Sequence, residues 1–160
     1  MNEALIGLAG VFLGLGGSMW TTIWANRQHR KALTDERLTN RQEEAAYEIR
    51  KALISVHHLK HTLSDHEESG GPEELRQLIH TIDTYSMVLT SAELRSRLTG
   101  ATQIMWYWHV LMGTEGHPVW LAVNDATECV GAHLRGEPLP QEPPIVRNLR
   151  EEAKDLEEHE

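Results

Sequence analysis

Apolar and polar positions alternate along this chain at helical spacing. The first break in the pattern comes early. Ala4 to Ala25 is an uncharged run of 22 residues, and Asn26-Arg27-Gln28-His29-Arg30-Lys31 follows at once. As a helix the run reaches about 33 Å, enough for a hydrocarbon core of roughly 30 Å. Within it Gly7, Gly10, Gly14, Gly17 and Thr21 are spaced three and four apart and share one helical face. Small residues so placed let two helices approach closely in lipid. The pattern predicts a membrane anchor over 1–25 that associates with its own copies.

Beyond the anchor the register turns polar. Gln28, Lys31, Asp35 and Gln42 continue the face with only Leu38 apolar, so 26–43 reads as a basic, exposed stalk. An apolar stripe then starts at Ala45 and runs through Ile49, Ala52, Val56, Leu59 and Leu63, giving a first bundle helix over 44–64, and Ser64 to Pro72 reads as a loop. Pro72-Glu73-Glu74 opens a second helix with Leu75, Leu78, Ile82, Tyr85 and Leu89 inside. Thr90-Ser91-Ala92-Glu93 resembles a capping box. A third stripe follows, Leu94, Leu98, Ala101, Met105, Trp108 and Met112, with Gly113 and Gly116 as its stops. Pro118 opens a fourth, with Val119, Val123, Ala126, Val130 and Leu134 inside and Gly136 as C-cap. Residues 137–145 are Pro-rich and extended. The end, 146–160, reads either as a short amphipathic helix on Val146, Leu149, Ala153 and Leu156 or as an acidic tail. No run reads as a strand. The predicted fold is all-α: a transmembrane helix continuing into a stalk helix, then an antiparallel four-helix bundle over 44–136.

Charge sharpens this picture. Residues 26–51 carry seven Lys/Arg against five acids, whereas from residue 52 onward eight face eighteen, a balance of −10. A domain so acidic repels phosphates, which argues against a nucleic-acid partner. Arg27, Arg30 and Lys31 follow the anchor and only Glu3 precedes it, so the positive-inside rule places the N-terminus outside and the domain in the cytoplasm. Trp20 and Trp24 suit the headgroup level. A cleaved signal peptide would need a cationic start, which Met1-Asn2-Glu3 lacks. Cys129 is the single cysteine, so no internal disulfide forms.

The histidines are the candidate chemistry. His57 and His61 stand one helical turn apart, with Asp65 and His66 close behind, a spacing by which imidazoles share a metal. No His-Glu-x-x-His and no cysteine pair accompanies them, and histidines at a solvated helix end explain the same residues. Cys129 and His133 are also one turn apart, and packing explains that pair. Trp106 and Trp120 are candidates for a surface groove. No cofactor motif appears: the sequence holds no phosphate loop, dinucleotide fingerprint or serine elbow.

The layout resembles a group of uncharacterised actinobacterial single-pass membrane proteins. The likeness is carried by the Gly-rich Leu5–Trp24 segment, the Arg27-to-Arg41 stalk and Cys129-Val130-Gly131-Ala132-His133-Leu134-Arg135-Gly136-Glu137-Pro138-Leu139-Pro140. It implies an anchor plus a cytoplasmic helical domain and brings no catalytic residue. The expectation is a membrane-anchored, self-associating, non-enzymatic interaction or scaffold protein whose acidic domain meets a protein partner. The alternative is a small oligomeric membrane effector or pore, of the kind found in toxin or phage systems, assembled through the glycine face.

Overall fold

The computed structural model describes residue 33 and residues 36–59, 72–111 and 117–159. The expected anchor and its glycine face (Gly7, Gly10, Gly14, Gly17, Thr21) lie outside the described residues. So do Trp20, Trp24, Arg27, Arg30 and Lys31, and His61, Asp65 and His66. Among the described residues there are five helices and no strand, and no helix is long and apolar enough to cross a membrane. We number them α1 (36–58), α2 (Glu73–Ser86), α3 (Ala92–Trp106), α4 (Pro118–Leu134) and α5 (Pro144–Glu157). From Arg41 onward they belong to one compact unit. Before it, residues 33 and 36–40 are helical and exposed.

Each helix has a local cause. On α1 the stripe buries Ala45, Ile49, Ala52 and Val56, joined by Ala46 and Leu53 one position along. In α2, Glu73 and Glu74 sit in the first turn, where carboxylates favour the positive end of the helix dipole. Its buried line is Leu75, Ile79, Ile82 and Ser86. Leu78 and Tyr85, expected inside, are only half-buried against the core. The start of α3 is shifted by one residue from the expected capping box. Ser91 is the N-cap, and its hydroxyl accepts from the Leu94 amide at 3.2 Å. At its other end α3 stops at Trp106, well before Gly113. Trp108 and Leu111 are still buried, but from the turn that follows the helix.

Gly136 closes α4 as expected. It holds φ at +68°, a region that favours glycine. Its amide donates to the His133 carbonyl at 3.0 Å, and the Glu137 amide donates to Ala132 at 2.9 Å, the paired bonds of a Schellman end. The Pro-rich stretch after it is extended, and Pro144 begins α5. The C-terminal segment is therefore a helix. Val146, Leu149 and Ala153 are buried in the same core as the other four helices. α3 lies at the centre and touches α2, α4 and α5.

Candidate functional site

The histidine expectation rests on His57 within the described residues. It is exposed on α1, its ring 5.7 Å from that of Trp120 and 6.4 Å from that of His58. Among the described residues no three His, Cys, Asp or Glu side chains come together as a metal would require. Cys129 is fully buried on α4. Burial, reinforced by the Asp125 carboxylate, pushes its thiol up to about 11. A thiolate is the nucleophilic form, and burial disfavours it here. Trp106 and Trp120 are both half-buried against the core.

The most concentrated polar chemistry lies where the sequence offered no signal. Arg97 on α3 and Asp125 on α4 are both buried and form a two-point ion pair. Arg97 Nε donates to Asp125 Oδ2 at 3.0 Å, and Nη2 donates to Oδ1. The third guanidinium nitrogen, Nη1, donates to the Pro140 carbonyl at 3.3 Å. Glu142, mostly buried, approaches Arg97 at 3.7 Å and accepts from Arg150 Nη2 of α5 at 3.0 Å, while Arg147 stands 3.6 Å away. Burial raises the Asp125 carboxyl above its usual range, opposed by the hydrogen bonds from Arg97. Burial draws the Arg97 guanidinium down, but the carboxylates of Asp125 and Glu142 outweigh it and hold the arginine protonated. The network ties α3, α4, the Pro-rich strap and α5 together. Gly100 completes the seam: a Cβ there would overlap Cγ and Cδ of Arg150, whose stem crosses α3 at this point.

At the start of α4 six rings follow one another, beginning with His58 beside His57. His57 meets Trp120 edge-on, and Trp120 lies 5.2 Å from His117. His117 stacks on Trp108 at 5.4 Å and 17°, and Trp108 meets His109 at 6.4 Å. Such distances give aromatic packing its preferred geometries. The run binds α1 to the start of α4 and to the turn after α3. Trp108 Nε1 and His109 Nδ1 are buried without a hydrogen-bond partner among the described residues.

A third feature is an open groove of about 650 Å³ between α1 and α4. Tyr47 and Arg50 stand on one side, with Thr127, Glu128 and Gly131 on the other, and Pro138 closes one end. Its lining mixes Thr127, Gly131 and Ala132 with Leu134, and it carries both signs of charge in Arg50, Arg135, Glu128 and Glu137.

Comparison with protein-family models, with curated proteins and with solved structures finds no match to the chain.

Proposed function

We propose that this chain is a membrane-anchored, self-associating, non-enzymatic scaffold or interaction protein with an acidic helical domain on the cytoplasmic side. The observation that carries the reading is the uncharged run 4–25 followed at once by Arg27, Arg30 and Lys31, joined to an independently cored helical unit. Each basic residue near the surface adds on the order of 1 kcal/mol of attraction to anionic lipid. The face of Gly7, Gly10, Gly14, Gly17 and Thr21 brings copies together, and the domain, at −10 from residue 52 onward, recruits a protein partner rather than nucleic acid. The interior polar network joins helices to one another and leaves its groups matched, which suits a rigid presenting domain.

The test is membrane fractionation of the full chain with a reporter fused after Glu160. The expected result is retention through alkaline carbonate washing, with the reporter active only in its cytoplasmic form. Release by carbonate, or an external C-terminus, overturns the reading. Replacing Gly10 and Gly14 with Ile keeps insertion and abolishes crosslinking between copies, whereas the same change at Leu13 and Leu15 leaves crosslinking intact. Dye escape from vesicles carrying the full chain would favour the pore instead.

A further inference from the structure

The outward side of α1 has a charge order that nothing else in the fold uses. Six core residues occupy the inner side of this helix, and the opposite side is centred on Tyr47 and Ile54, one heptad apart, 58% and 47% exposed. Of the seven large apolar side chains exposed among the described residues, three (Leu38, Tyr47 and Ile54) belong to α1. The charges flanking Tyr47 are segregated. Glu43 and Glu44 precede it by four and three residues, while Arg50 and Lys51 follow it by three and four. All four are exposed.

This order is complementary to itself when reversed. Two α1 helices laid antiparallel, crossing at Tyr47, bring Glu44 opposite Arg50 of the second copy and Glu43 opposite its Lys51. The two-fold axis then repeats both pairs. Laid parallel, the same faces set Glu43 against Glu43 and Arg50 against Arg50, which is repulsive. Among the described residues the set forms one ion pair, Lys51 with Glu48 at 3.7 Å; it is exposed and weak, so it competes little. The groove beside Tyr47 and Arg50 is open, and its α4 side carries Thr127, Glu128, Gly131, Ala132 and Leu134, with Arg135 beyond them. Elsewhere the chain is acidic, with a net charge of −9, so copies repel except where acidic and basic groups are locally matched.

We propose that the outer face of α1 is a self-recognition surface that pairs two copies of this chain antiparallel about Tyr47. The contact is isologous: the same patch serves both partners. It is independent of the glycine face in residues 7–21. A chain carrying two separate self-association surfaces builds clusters rather than closed pairs, which extends the scaffold reading without depending on it.

The experiment uses the full chain in mild detergent, with Gly10→Ile and Gly14→Ile present throughout to remove any contribution of the glycine face. Glu43→Cys and Lys51→Cys chains are prepared separately, mixed and oxidised; Cys129 is buried and stays silent. The expected product is the mixed disulfide between positions 43 and 51, in excess over either like-with-like product. Predominance of like-with-like products, or no crosslink at all, overturns the proposal. A charge swap supplies the second arm. Glu43→Lys with Glu44→Lys should weaken self-association about tenfold or more, and adding Arg50→Glu with Lys51→Glu should restore it. Unchanged association in the first variant, or failure of the second to recover with helicity intact, also overturns it.

Discussion

α3 and α5 are almost equal in length, fifteen and fourteen residues, yet they bury themselves in opposite ways. α5 hides a single line, Val146, Leu149 and Ala153, and leaves its charged residues other than Arg150 exposed. α3 hides eight residues around most of its circumference, among them Arg97, Gly100 and Thr102. The difference lies in neighbours rather than in composition. α5 leans on the bundle from outside, so one apolar stripe suffices. α3 is packed against helices on three sides, and a residue facing any of them is buried whatever its polarity. A polar residue in that position must then find its partner inside the protein. Arg97 finds Asp125, and the Thr102 hydroxyl donates to Asp83 of α2 at 2.8 Å.

The strongest way to break this comparison is to remove one half of the buried pair. Arg97→Ala leaves the Asp125 carboxylate without its partner and should cost about 3–5 kcal/mol in denaturant unfolding. Replacing both, as Arg97→Met with Asp125→Leu, should recover much of that loss. A double variant no better than the single one would mean that the pair contributes net stability of its own.

Apolar truncations sharpen the contrast between centre and edge. Leu98→Ala on α3 should cost roughly 2–5 kcal/mol, because neighbours on three sides cannot all close the gap. Leu149→Ala on α5 should fall at the low end of that range, since a helix held from one side can shift inward. A larger loss at Leu149, measured in the same unfolding experiment, would show that the edge helix is held as rigidly as the centre.

The smallest expected effect concerns the strap. Glu142→Gln keeps a hydrogen-bond acceptor but removes the charge shared by Arg97, Arg147 and Arg150, and it should cost about 1–2 kcal/mol. Hydrogen exchange should place the change mainly in α5 amides and spare those of α3. Uniform acceleration across both helices would mean that α5 does not open separately.

Much of the architecture was legible because its causes are local. Pro118 and Gly136 mark the ends of α4 through a missing donor and a positive φ, properties that belong to those residues alone. The spacing of Ala45, Ile49, Ala52 and Val56 marks the core side of α1, and the same rule identifies Val146, Leu149 and Ala153 in the end segment, where a tail was the other reading. Legibility weakened where two neighbouring residues competed. Ser91 rather than Thr90 caps α3, and Ile79 rather than Leu78 faces the core, because a rotation of one residue is decided by packing. Arg97 and Asp125 left no trace in the pattern. They are 28 positions apart, and a charge within a stripe looks the same whether water or a carboxylate awaits it.

The sequence by itself determined that this protein is helical, where most of its turns and caps fall, which stripe of α1, α4 and α5 seeks a core, and that charge is divided between a basic early region and an acidic remainder. Those features depend on residues within a turn or two of each other, where geometry is set by the backbone period. Only the tertiary structure decided that α3 sits in the middle, that a fifth helix joins the bundle, and that Arg97, Asp125, Pro140 and Glu142 meet. Each of these depends on which surfaces exclude water from one another, and burial is a property of the assembled fold, not of any segment within it.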